Sequence, residues 1–190
     1  MDAHPPITSI SLRQERGCRR DKNARSLSYF ATAPVGVVSA GICDELEELG
    51  VSKQTNVRLC LHLDSGNPLQ EMVIFQAATR FFPPKRHVDK AKSFTILRGV
   101  LGIFWFDATG NLMGAAALSE AGPRICRVNG GIYHVDIPLT ATCIHHEVTT
   151  GPFRGADDRE IASWGPPPQE PAAMARYRAE LISRAGFRDL

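Results

Sequence analysis

Between residues 57 and 63 the chain alternates: Val57, Leu59, Leu61 and Leu63 take every second position, with Arg58, Cys60 and His62 between them. Side chains two apart on a strand share a face, so this pattern predicts a half-buried strand with Arg58, Cys60 and His62 on its polar side. The segments EMVIFQAA, FTILRG, VLGIFWFD, NLMGAAAL, RICRV, IYHVDI and TCIHHEV read as further strands, and DATGN supplies the Asp, Gly and Asn of a hairpin turn. Two stretches follow a helical period instead. SAGICDELEELG puts Ile42, Leu46 and Leu49 on one face, sets Asp44 and Glu45 at the positive N-terminal end, and offers Gly50 as a stop. PAAMARYRAELISRAG spaces Met174, Tyr177 and Leu181 for packing and meets Gly186 near its end.

Many short strands with little helix among them predict an all-β protein, a single closed barrel or jelly roll with a short N-terminal helix and a C-terminal helix. The predicted divisions are an N-terminal extension over 1–36, partly disordered because it has no sustained period, and a helical lead over 37–56. The barrel follows over 57–150, then a Pro/Gly-rich strap and helix over 151–190. Polar residues on the inward faces of a small barrel mark a pocket for one ligand.

At 190 residues the chain is long enough for one domain with a real core. Its 43% hydrophobic and 22% charged residues are ordinary for a soluble protein. A net charge of +2, from 22 basic and 20 acidic residues, gives no ground for nucleic acid as a partner. Residues 13–25 gather six Lys and Arg against Glu15 and Asp21, which reads as a solvated terminal stretch or as an arm for an acidic partner. No apolar run approaches the roughly 18 residues that cross a bilayer, and no apolar signal segment opens the chain, so the expectation is a cytoplasmic protein with no membrane partner. The five cysteines are widely spaced without C-x-x-C and read as small buried hydrophobes rather than a disulfide or zinc framework.

The chemistry concentrates in KRHVDKAKSFTILRG, residues 85–99. Lys85, Arg86 and His87 are followed by four residues, Lys92, six residues and Gly99, which is the spacing of the first cupin metal segment, H-x-H, three or four residues, Glu, six residues, Gly. That spacing lets two imidazoles on one strand face meet a carboxylate from the next strand at a single ion. A weaker second segment, NGGIYHVDIP, sets Gly131 and His134 in a Gly-x-x-His frame. With RLCLHLDSGNPLQEMVI, FDATGNL, IYH, HHEVTTGPF and ASWGPP, the chain resembles the WbuC family of cupin-fold metalloproteins over roughly residues 40–185. The resemblance implies a cupin barrel and a metal site, and says little about a reaction.

At the four ligand positions that the resemblance implies stand Lys85, His87, Lys92 and His134. An ammonium must lose its proton before it can bind a metal, at a cost of about 4 to 5 kcal/mol at pH 7. The reading is therefore a divergent cupin with no cofactor, binding a small anionic or carbonyl-containing metabolite. Lys85, Lys92, His87 and His134 are its candidate catalytic residues, Arg58 and His62 its candidate substrate-binding residues. Two ammonium groups ~5 Å apart repel by roughly 3 kcal/mol, which would leave one lysine able to act as a base or form a Schiff base. Alternatively, both stay charged and clamp an anion or a developing enolate while a histidine shuttles the proton, giving isomerase, epimerase or lyase chemistry. A metal-dependent oxygenase or isomerase holding Fe, Mn, Ni or Zn at His87 and His134 is the runner-up. A non-catalytic ligand-binding or assembly module, paired as a homodimer through its sheet edges, is the third reading, and a decayed site whose lysines reach solvent is the plainest. His145 and His146, adjacent on one strand, must face opposite ways.

Overall fold

The computed structural model describes residues 9–24 and 26–188. Twelve strands and two α-helices follow one another: β1 (Cys18–Asp21), β2 (Leu27–Ala31), α1 (Ile42–Lys53), β3 (Val57–Cys60), β4 (Leu69–Ala77), β5 (Lys85–Arg86), β6 (Lys92–Arg98), β7 (Leu101–Phe106), β8 (Leu112–Leu118), β9 (Ile125–Val128), β10 (Tyr133–Pro138), β11 (Thr142–Thr150), β12 (Glu160–Ile161) and α2 (Pro171–Arg184). They form a seven-stranded sheet, β1-β2-β3-β4-β11-β6-β9, and a five-stranded sheet, β12-β5-β10-β7-β8. β2 and β3 run parallel; the other neighbours are antiparallel. The architecture is all-β and jelly-roll-like.

One expectation about the sheets needs correction here. Neither sheet closes into a barrel: β8 and β9, at the edges of the two sheets, lie side by side without a ladder between them. The chain linking them turns at Gly122 and Pro123, where Ser119 N–H donates to the Pro123 carbonyl and the proline has no N–H for a ladder. Of the stretch read as an extension, residues 1–8 and 25 lie outside the described residues, and the others include two strands. β1 and β2 extend the seven-stranded sheet, and Ile10, Leu12, Cys18, Tyr29 and Ala31 are buried in its outer core. β1, CRRD, carries three charged residues in a row and β2, LSYFA, sets two aromatic residues side by side, so neither displays the period of a half-buried strand.

The two helices each cover part of one sheet's outer face. α1 and the N-terminal segment pack on the outer face of β2 to β4 through Ile42, Leu46, Val57, Leu59, Val73 and Phe75. Gly50 does not stop α1. It lies inside the helix because a Cβ there would stand 2.1 Å from the Phe75 ring, and the helix ends at Gln54 in the left-handed conformation. α2 covers the outer face of β7 and β10 through Met174 and Leu181 against Phe104, Val135 and Ile137. Between the sheets, Phe94, Ile96, Leu101, Ile103, Leu118, Val128 and Cys143 make an apolar layer, and the polar residues gather beside it.

Candidate functional site

Strand alternation builds the site. On β10, Val135 and Ile137 pack outward beneath α2, so His134 and Asp136 point between the sheets. On β11, Ile144 packs outward with the α1 core, so His145 and Glu147 point inward. Lys92 and Phe94 of β6 sit beside Thr149 and Glu147 on that same inner face, and Lys85 of β5 lies opposite His134. Gly99, which closes the frame read in the sequence, turns β6 into β7 at φ +79°, with the Thr142 carbonyl 2.7 Å from where a Cβ would stand.

Lys85, Lys92, His87 and His134 do converge. The lysine side chains are 10% and 11% exposed, and both ammonium groups act electrostatically on both imidazoles. Their partners differ from the expectation of two ammonium groups repelling each other. Lys85 Nζ donates to Asp136 Oδ1 at 3.2 Å and Lys92 Nζ to Glu147 Oε1 at 2.6 Å. A third pair, Lys90 with Asp158, lies beside His87, and Lys90 also donates to the Pro152 carbonyl. Burial pushes the Asp136 carboxyl up, but Lys85, followed by His145 and Lys92, more than offsets it and holds it at about 2. Glu147, subject to the same opposition of burial and Lys92, also ends below the usual carboxylate range.

The two imidazoles are fixed in one tautomer. His87 Nδ1 lies 2.5 Å from the Asp158 carbonyl and His134 Nδ1 lies 2.9 Å from the Ile132 carbonyl. A carbonyl only accepts, so each Nδ1 carries the hydrogen and each Nε2 a lone pair. Both Nε2 atoms are buried without a protein partner. Burial, reinforced by the lysines, lowers both imidazoles to about 4, so both are neutral at pH 7. The rings lie 6.2 Å apart, and Phe94 packs 6.3 Å from His134 and 6.0 Å from His145. His145 is fully enclosed, its Nδ1 3.9 Å from Cys143 Sγ, whereas His146 faces outward to Glu71 at 3.0 Å.

The strap covers this cluster of side chains. A 3₁₀ turn, Gly155–Asp158, brings Asp158 onto His87 and Lys90, and β12 pairs with β5. Phe82 lies over Lys85, its centroid 5.8 Å from Nζ.

Arg58 and His62 are not brought to the four. β3 ends at Cys60, so His62 lies on the bend beyond it, its Nδ1 set between the N–H and carbonyl of Glu71 and its ring edge-on to Phe30. It borders a separate surface cleft of about 280 Å3 together with Ala33, Pro34, Leu63 and Leu69. Arg58 does face inward, but β4 separates it from β11. The sequence reading missed Asp136, His145, Glu147, Lys90 and Asp158. Alternation in IYHVDI and TCIHHEV already set Asp136 two residues from His134, and Glu147 two from His145; the approach of Asp158 had no local signal.

The donor set does not suit the metal that a cupin site implies. Two imidazole Nε2 atoms suit an ion, but the other two positions present ammonium nitrogens with no lone pair to give, and Asp136 and Glu147 are held by those lysines. Among the described residues no group of three or more His, Cys, Asp or Glu is disposed to hold a metal ion. No helix among them is long and apolar enough to cross a membrane.

No family model matches the chain, and no curated protein matches it. Among solved structures, it is similar to the capsular polysaccharide assembling protein CapF from Staphylococcus aureus, with 12% identity and a TM-score of 0.46 over 56% of this chain and 31% of that one. It is also similar to the L-ribose isomerase of Cellulomonas parahominis, with 15% identity and a TM-score of 0.45 over 58% and 70%. Procruciferin, an 11S globulin from Brassica napus, matches at 11% identity and a TM-score of 0.38 over 50% and 22%. The chain thus spans less than a third of CapF, and similarities this low say nothing about its site or reaction.

Proposed function

We propose that this chain is a divergent cupin of the WbuC type that binds a small anionic or carbonyl-containing metabolite without a metal, with isomerase, epimerase or lyase chemistry. One observation carries the reading: two neutral, buried imidazoles with bare Nε2 atoms stand beside two buried lysine–carboxylate pairs. A bare imidazole nitrogen is a general base. It takes a proton from the carbon next to a carbonyl, the C–H electron pair moves onto the carbonyl oxygen, and an ammonium stabilises that oxyanion. Return of the proton to the same or the neighbouring carbon gives an epimer or an isomer. In their salt bridges the lysines serve as charge stabilisers, and borohydride trapping of a Lys85- or Lys92-dependent adduct would instead establish the Schiff-base route.

The test is deuterium exchange. Carbonyl metabolites incubated with the protein in D2O are expected to take up deuterium next to the carbonyl. Asn replaces the Nδ1–H donor and removes Nε2, so His87→Asn or His134→Asn is expected to slow that exchange about a hundredfold. Exchange undiminished in the double variant, or absent across the panel, overturns the reading. The bare Nε2 pair also favours the metal-dependent alternative. Stoichiometric Fe, Mn, Ni or Zn in untagged protein, lost in His87→Ala, would establish it.

A further inference from the structure

The ligand class follows from charge and from hydrogen-bonding capacity, and rests on this side-chain cluster being the binding site. Around the imidazoles the ionised groups cancel: Lys85 with Asp136, Lys92 with Glu147, and Lys90 with Asp158. At the rim Arg86 pairs with Glu160 and Arg154 with Asp89. The lysines do not present two free positive charges, because Asp136 and Glu147 already occupy them. An anion buried here would bring a net charge into a space whose charges are already balanced, and burying an uncompensated charge is costly.

Hydrogen-bonding capacity adds the second constraint. His87 Nε2 and His134 Nε2 offer lone pairs and lack donors, and their residues are 6% and 2% exposed. Their Nδ1–H groups are committed to the Asp158 and Ile132 carbonyls, so neither ring can turn to offer a hydrogen instead. A ligand that satisfies both must supply two donors, whereas a carboxylate or a phosphate-ester dianion supplies none and inorganic hydrogen phosphate only one. Each lysine carries three N–H donors and spends one on its carboxylate, so donors remain for a ligand carbonyl.

We infer that this cluster, once the strap that packs on His87 and Lys90 makes room, takes an uncharged hydroxy-carbonyl compound, with one ligand hydroxyl donating to each of His87 Nε2 and His134 Nε2 and the carbonyl oxygen accepting from Lys85 or Lys92. This excludes the anion-clamp version of the site. The Nε2 that takes the proton in the reaction would first hold the hydroxyl on or beside the carbon concerned.

Calorimetric titration at pH 7.5 tests the inference with four probes matched in carbon skeleton: a neutral ketose, the aldose, the aldonic acid and the alditol, with inorganic phosphate as a fifth. A neutral sugar is expected to bind at least about tenfold tighter than the acid and the alditol, and phosphate not at all. His87→Asn and His134→Asn are each expected to weaken sugar binding about tenfold or more. Glu147→Gln leaves one positive charge uncompensated and is expected to move preference toward the acid about tenfold or more; where it fails to fold, Asp136→Asn makes the same charge change. Acid or phosphate bound as tightly as the sugar, and lost in His134→Asn, overturns the neutral-ligand inference while leaving this cluster as the site. No His134-dependent binding of any probe overturns both.

Discussion

At the residue scale the decisive feature is that each buried lysine has a carboxylate of its own. Removing one member of such a pair leaves the other charge buried and uncompensated, which costs about 3 to 5 kcal/mol, whereas replacing both by apolar groups costs far less. Urea titration is expected to show Asp136→Asn in that range and Lys85→Met with Asp136→Leu well below the sum of the singles. The imidazoles set the response to acid. The unfolded chain binds their protons below about 6.5 and the folded chain only below about 4, so unfolding takes up protons between those values. Stability is full above pH 6.5 and falls on acidification through that window by roughly 1.4 kcal/mol per pH unit for each imidazole. Burial lowers His62 and His145 in the same direction. Chemical denaturation at a series of pH values checks this slope, and His134→Asn is expected to remove one imidazole's share.

At the element scale, two contacts show how packing overrides local preference. Gly50 looks like a helix stop, and Ala there would favour the helix by about 1 kcal/mol. The Phe75 ring occupies the space a Cβ needs, and overpacking costs about 1 to 3 kcal/mol, so Gly50→Ala is expected to lower the melting midpoint. The strap is fastened differently. Its sheet attachment is the two-residue strand β12, and its inward anchor is the Asp158 side chain, 8% exposed, on Lys90. Asp158→Asn leaves Lys90 without its carboxylate, and faster proteolytic cleavage within 151–159 is the expected readout, against an unchanged rate if the anchor is immaterial.

For the whole molecule, the N-terminal strands share a sheet and a core cluster with β3 and β4. Deleting residues 1–31 would uncover Val57 and Leu59 and turn β3 into an open edge, so the truncated chain is expected to aggregate, which size-exclusion chromatography reads directly. Alternation and helical spacing in the sequence were enough to place β4, β6 to β11 and both helices, because each element's burial pattern is set by residues a few positions apart. Lys85, His87, Lys92 and His134 were legible for a similar reason: they lie in two short segments with fixed spacing. What the sequence by itself determined was therefore local, namely the strands, the faces of their side chains and the chemical types at the frame positions. Only the tertiary structure decided the open double sheet, the place of β1 and β2, and the partners of the lysines. Lys85 meets Asp136 across 51 positions, Lys92 meets Glu147 across 55, and Lys90 meets Asp158 across 68. Pairings at that separation leave no period in the chain, since they come from how two sheets and a strap stack and not from the geometry of any one strand.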